Sequence, residues 1–365
     1  MTLIKVKSRG TDNVSGRRNM VINGAMNVAQ RGTSHASVSN NAYTLDRFAF
    51  TYSQDGAFTV TQDSSSPDGF ANSLKLDVTT ADSSLAASQY LIMEHKIEAQ
   101  NLHHLHFGKS SAKNITLSFY VKSNKTGTYG VTIIQGDNSS KMANLTYTID
   151  SADTWEQKSL TFTGDTSGVI NDDNGIGLKL GFTLAVGSTW TSGDTSASFR
   201  TFANGNYGGG QTVNILDSTS NEWFITGVQL EVGDSASDFE HRYFAEELQL
   251  CQRYFFQEDT NADNIGGRMG IASGTVNVTI PYDMPVQMRA KPSLSLTNAN
   301  IRCGDMVTAG FNTSSGTVNA NSYLGSKNVT LVLGGFTGLT NYRTYLHEPR
   351  TSDGSIGIIK FDAEL

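Results

Sequence analysis

Charge, proline and cysteine are all scarce in this chain. Only 17% of its 365 residues are charged, against about 25% in an average soluble protein. A surface so poor in charge has to be covered by hydroxyl and amide groups, and Ser, Thr, Asn and Gly fill much of the remainder. No stretch approaches the roughly 18 consecutive apolar residues of a membrane helix, and no apolar run opens the chain. The expectation is therefore neither membrane insertion nor a secretory signal. A formal net charge of −7 excludes nucleic acid as the main partner, because phosphate binding needs a basic field. Cys251 and Cys303 stand far apart. Two reduced, partly buried thiols are expected, with a single disulfide as the alternative.

What is present is strand-forming sequence. Short β-prone runs recur from Ala57 to Leu216, with clear alternation in Ile115-Leu117-Phe119-Val121 and in Leu160-Phe162. Gly, Asn and Asp separate them, and strands so spaced read as an antiparallel sandwich of the jelly-roll type. Asn23-Gly24 predicts a two-residue hairpin, and Asp46 beside Arg47 predicts a partly buried carboxylate–guanidinium network. Glu98 to Phe107 reads as a short helix. Its His103, His104 and His106 do not converge on one face and read as surface residues, not as metal ligands. Ile225 to Val232 reads as a strand, residues 233–238 as a turn, and Phe239 to Phe256 as an amphipathic helix. Its stripe of Phe244, Leu248, Cys251, Tyr254 and Phe255 suits packing under two domains, burial at an oligomer axis, or both. Further strands follow to the C-terminus. The fold class is therefore all-β: an N-terminal jelly-roll β-sandwich (19–238), a linking amphipathic helix (239–256) and a smaller C-terminal β-sandwich (257–365). A basic leader (1–18) precedes them, with a strand-prone Leu3, Ile4, Val6 and Arg9 able to add to another protein's sheet edge; a disordered tail is the alternative.

Four phrases carry a resemblance. They are NMVINGAMNVAQRG with YTLDRF, LSFYVKSNKTGTYGVTI with TWEQKSLTF, GVQLEVG with FEHRYFAEELQLCQRYF, and the closing FDAEL. Together they resemble bacteriophage tail-fibre and virion-appendage proteins with a carbohydrate-binding-module-like jelly roll. The resemblance implies a virion structural protein, a homotrimeric tail fibre that attaches to host-surface glycans. It also implies that the leader binds other virion proteins, and that Trp155 packs at the sandwich end without touching ligand. A capsid fibre or tail-tip scaffold without ligand is the alternative, and a polysaccharide depolymerase a third reading.

No catalytic signature is present: no G-x-S-x-G elbow, no P-loop, and no pair of acids placed across a cleft. Sugar binding needs aromatic faces and planar polar groups. Trp190 in VGSTWTSGD and Tyr207 in ANGNYGGGQ lie in small-residue loops with little packing reason to be there. With Asn206 and Gln211 they are the candidate ligand contacts; Tyr323 and Tyr342 are weaker ones, and Trp223 reads as core. Jelly-roll modules often hold a structural calcium, and the loops Asp63–Asp68 and Asp172–Asn174 are acid-rich enough to supply one.

Overall fold

The computed structural model describes residues 17–137, 141–258, 268–297, 302–305, 310–312, 317–320, 326–348 and 358–365. Leu3, Ile4, Val6, Arg9 and Tyr323 lie outside them. The described chain forms two compact units, one ending at Tyr243 and one beginning at Phe244.

The first unit contains β1 (Ser34–His35), β2 (Ala42–Tyr43), β3 (Phe48–Ser53), β4 (Ala57–Asp63), β5 (Ser73–Thr80), β6 (Tyr90–Glu98) and β7 (Ile115–Ser123). It continues with β8 (Gly127–Gln135), β9 (Lys141–Ile149), β10 (Glu156–Phe162), β11 (Ile176–Val186), β12 (Ser196–Thr201) and β13 (Glu222–Val232). They build two antiparallel sheets, β1-β4-β5-β13-β7-β10 and β12-β9-β8-β11-β6-β3-β2. Alternate residues of each sheet, among them Leu76, Leu117, Phe119, Leu180, Phe182 and Trp223, meet in one buried core. Trp223 is fully buried as expected, its indole N–H donating to the Tyr147 hydroxyl at 3.3 Å. The region expected as a helix at 98–107 is instead two single 3₁₀ turns, Ala99–Asn101 and His103–Leu105.

The hairpin expected at Asn23-Gly24 does not form; the segment is a turn held by a strand far along the chain. Met20 N–H donates to the Leu230 carbonyl at 2.9 Å, and Val228 N–H to the Gly24 carbonyl at 2.9 Å. The Asn19 amide closes both sides, donating to Val228 O at 3.0 Å and accepting from Leu230 N–H at 3.1 Å. A Cβ on Gly24 would fall 2.1 Å from Val228 O, so only glycine permits this approach. The chain leaving β13 then folds back over the same place. Glu240 accepts from the backbone N–H of Arg17 at 2.8 Å and of Asn19 at 2.6 Å. Arg242 donates to the carbonyls of Asn19 and Val21. Gln229, Glu231 and Ser237 brace the turn beneath. Arg17 and Arg18, the last two residues of the expected leader, thus hydrogen-bond to the folded unit, and residues 1–16 lie outside the described residues.

These contacts also correct the helix. Residues 239–242 are spent on tertiary bonds and are not helical; α-helix runs only over Phe244–Gln252, within the second unit, and Phe255 begins a strand. Cys251, Tyr254 and Phe255 are buried there and Leu248 half-buried, whereas Phe244, expected on the buried stripe, is 58% exposed.

The second unit has β14 (Phe255–Gln257), β15 (Arg268–Ala272), β16 (Val278–Asp283), β17 (Ser293–Thr297) and β18 (Arg302–Gly304). To these it adds β19 (Gly310–Asn312), β20 (Thr317–Ala320), β21 (Asn328–Gly334), β22 (Thr344–Glu348) and β23 (Ile358–Asp362). Sheets β14-β23-β17 and β19-β18-β22-β15-β16-β21-β20 share a core including Ile280, Tyr282, Leu331, Tyr345 and Phe361. Cys251 and Cys303 are both free and buried. In β22, burial and then the nearby Arg268 charge lower the pKa of His347 to about 4.

Removing the Glu240 carboxylate takes a charged acceptor from the part-buried Asn19 N–H and the exposed Arg17 N–H, so Glu240→Ala should destabilise the first unit by about 1.5 kcal/mol in urea unfolding; a change below about 0.5 kcal/mol contradicts the assignment. His347 makes a second prediction. It stays neutral in the folded unit down to about pH 4, while the unfolded chain binds its proton near pH 6.5. Stability of the second unit is therefore full above pH 6.5 and falls by about 3 kcal/mol as pH drops towards 4. His347→Phe should flatten that decline in the same denaturation measurement.

Candidate carbohydrate-binding face

The outer face of the sheet β12-β9-β8-β11-β6-β3-β2 is set by register. Ala49, Glu94, Gly181, Thr132 and Asn144 form one row across β3, β6, β11, β8 and β9, and Thr51, Ile92, Thr183, Gly130 and Thr146 the next. Two glycines in these rows leave space, and the segment between β11 and β13 fills it. That segment holds two one-turn helices, α1 (Ser188–Thr191) and α2 (Asn204–Tyr207), with α3 being the Phe244–Gln252 helix.

All four expected ligand contacts lie in this segment; Tyr207 and Gln211 are buried, and Trp190 and Asn206 are half-buried. Tyr207 is buried with Ile92, Ile134 and Met142, its ring 6.0 Å from that of Trp190 and 6.2 Å from that of Phe202. Its hydroxyl lies beside Gly181 and hydrogen-bonds Glu94. Burial, and then the Glu94 charge, raise this phenol well above its usual range. Gln211 is buried too: its side-chain oxygen accepts from Gly130 N–H at 3.2 Å and its amide donates to Val213 O at 2.9 Å. Asn206 is half-buried and accepts from Asp194 N–H at 3.2 Å. The expectation of exposed loops is corrected for Tyr207 and Gln211. Their packing partner is the polar, glycine-notched sheet face, which local sequence does not display. Trp190 is half-buried, donates its indole N–H to Ser88 O at 2.9 Å and meets Tyr90 edge-on at 5.2 Å.

Beyond this cover the face is open. Tyr90 and Trp190 form an aromatic wall at one end. Thr51, Lys96 and Lys179 line the floor, all partly exposed. Glu94 lies buried beneath, paired with Lys179 at 3.1 Å. At the other end Tyr43 has the Lys96 ammonium 5.6 Å and the Arg31 guanidinium 5.4 Å from its ring centre. Below that ring is the expected buried network. Asp46 accepts from Gln30 N–H and from its side-chain amide, both at 2.6 Å. Burial raises its carboxyl against the opposing pull of Arg31 and Gln30. Arg47, fully buried with φ 72°, donates to Lys96 O at 2.6 Å. The arrangement offers ring faces, ammonium and hydroxyl donors, and a rigid base, which is the chemistry of a sugar-binding face. Tyr90, Lys96, Lys179 and Tyr43 were not singled out from sequence. The one signal was the alternation of Tyr90, Lys96 and Lys179 with core residues in YLIMEHKIE and IGLKLGF, which names a face but not what it faces.

In the acid-rich loops the carboxylates make local contacts. Asp63 accepts from Ser65 N–H at 2.7 Å, Asp173 from Gly175 N–H at 2.8 Å, and Asp172 is 2.8 Å from His103 Nε2. Among the described residues no three His, Cys, Asp or Glu side chains gather as metal ligands do. Tyr342, at 83% exposure and φ 63°, stands alone on the second unit.

No family model matches the chain, and no curated protein does. Among solved structures, the chain is similar to the enzymatically active domain of tailspike protein 4 of bacteriophage CBA120, at 13% identity and a TM-score of 0.32; the alignment covers 59% of this chain and 22% of that one. It is similar to a family 4 carbohydrate-binding module at 13% identity and a TM-score of 0.30, covering 58% of this chain and 99% of that one. It is also similar to the family 11 carbohydrate-binding module of a cellulosomal cellulase of Clostridium thermocellum, at 13% identity and a TM-score of 0.28, covering 57% and 98%. Likenesses of this size carry no functional argument for the present chain.

Proposed function

We propose that this chain is a non-catalytic glycan-binding protein of the outside of a bacteriophage particle, a tail fibre of three copies, and that it holds host-surface saccharide on the open half of the face described above. The observation that carries the binding reading is one sheet face that bears partly exposed Tyr90 and Trp190 at one end and partly exposed Lys96 and Lys179, paired in register, towards the other. A saccharide of several residues laid along β6 would stack one ring at Tyr90 and Trp190 and turn the hydroxyls of another towards Lys96 and Lys179, about 20 Å further along the sheet. The virion setting is supported by the sequence phrases alone. Two of them fold into the clasp formed by residues 19–24 and 227–242. Leu3, Ile4, Val6 and Arg9 remain the proposed attachment to other virion proteins.

A scaffold without ligand is the second reading. The burial of Tyr207 and Gln211 favours it, because two side chains suited to sugar contact are used internally instead. A glycan array probed with the full chain, Trp190→Ala and Lys179→Ala decides between them. The binding reading expects specific signals from the full chain that fall at least about tenfold in both variants, the equivalent of about 1.4 kcal/mol each. A blank array, or signals unchanged in both variants, supports the scaffold.

A further inference from the structure

The opposite face of the first unit carries a second set of rings. On the outer side of the sheet β1-β4-β5-β13-β7-β10, Phe70 packs against Tyr120 at 5.4 Å, against Phe239 at 5.0 Å and against His241 at 5.2 Å between ring centres. Two residues along β7 from Tyr120, Lys122 holds its ammonium 4.1 Å from the centre of the Phe224 ring and 5.4 Å from that of Trp155. Register makes this one strip: Thr226 lies opposite Tyr120 and Phe224 opposite Lys122, while Glu156, next to Trp155, lies opposite Val121. Phe224 is covered, but Phe70, Tyr120, Lys122 and Trp155 keep part of their surface in solvent.

Two features distinguish the strip from ordinary surface packing. The backbone is shaped for it: β13 is irregular between Thr226 and Gln229, and Gly227 sits there at φ 62°. A Cβ at that position would come within 2.8 Å of the Phe70 ring and 3.0 Å of the Tyr120 ring, so the glycine lets both rings lie down on the strand. The charge is also uneven. Lys75 is paired with Glu222 at 2.6 Å and Lys158 with Glu156 at 2.5 Å, whereas Lys122 forms no ion pair among the described residues and donates only to the Ser65 hydroxyl at 2.8 Å.

An ammonium held between the covered Phe224 ring and the partly open Trp155 ring, without an ion-pair partner among the described residues, complements a ligand that brings both an apolar ring face and an anion. We infer that this strip is a second saccharide site, selective for carboxylated pyranosides, with the sugar ring against Tyr120 or Trp155 and its carboxylate on Lys122. It shares no residue with the face carrying Tyr90 and Trp190, so either site stands or falls without the other.

The test uses the full chain on an array holding uronate-containing glycans, sialylated glycans and the carboxyl-reduced form of each. Carboxylated glycans should be retained at least about tenfold more strongly than their reduced forms, and less so as salt is raised. Lys122→Gln, a surface change, should abolish that preference, and Tyr120→Ala should weaken retention at least about tenfold. Retention of neutral glycans, which does not involve Lys122, should be unchanged in Lys122→Gln. A preference confined to uronates or to sialylated glycans identifies the source of the carboxylate. The inference is overturned if no acidic glycan is retained, if reduced forms are held equally well, or if retention survives in both Lys122→Gln and Tyr120→Ala with unfolding midpoints unchanged.

Discussion

Glu240 and Arg242 grip one short stretch of backbone from two sides: the carboxylate takes the N–H groups of Arg17 and Asn19, and the guanidinium takes the carbonyls of Asn19 and Val21. Between these two side chains the Asn19 amide joins the same stretch to β13. The segments where the first unit begins and ends are thereby tied to one strand of one sheet. Backbone groups that would otherwise be left without partners at the edge of a sandwich are satisfied by charged side chains, whose hydrogen bonds are roughly twice as strong as neutral ones. Phe239 and His241, on the residues between and beside these anchors, then lie over Phe70. The clasp and the aromatic strip are thus consequences of the same fold-back.

The two outer faces of the sandwich differ in how they are finished. One is notched by Gly130 and Gly181, and a long connection settles into the notch with Tyr207 and Gln211 as its pegs. That leaves Trp190 at the border between the covered and the open half. The other face has no such cover. Its rings are seated directly on β13 by Gly227, and its charge is concentrated at Lys122. Absent side chains do the positioning on both: where a sheet lacks a Cβ, a ring from elsewhere in the chain can come down onto the backbone.

Much of the architecture was legible in the sequence because it depends on local alternation. The all-β class, the core position of Trp223 and the Asp46 network follow from period-two patterning and from charges set in uncharged surroundings. The failures share a cause. Asn23-Gly24 has the best local hairpin signal in the chain, yet its backbone is claimed by Val228, about two hundred residues away. Phe239 to Arg242 read in sequence as the first turn of the helix, yet Glu240 and Arg242 have partners that only the folded sheet supplies. Tyr207 among glycines reads as exposed because the surface that buries it is built from β6, β8 and β11. The open half of the candidate face was hidden for the same reason, since Lys96, Lys179 and Tyr43 become neighbours only through the register of four strands.

The clasp is the claim on which both faces depend, and native-state hydrogen exchange of the first unit tests it most directly. The account predicts that the amides of Asn19, Met20, Val228 and Leu230 exchange only with global unfolding, as slowly as those of Leu117 and Phe182 in the core strands, and that Glu240→Ala releases them selectively. Fast exchange at these four amides in the unaltered protein, at the rate of a frayed terminus, would contradict it.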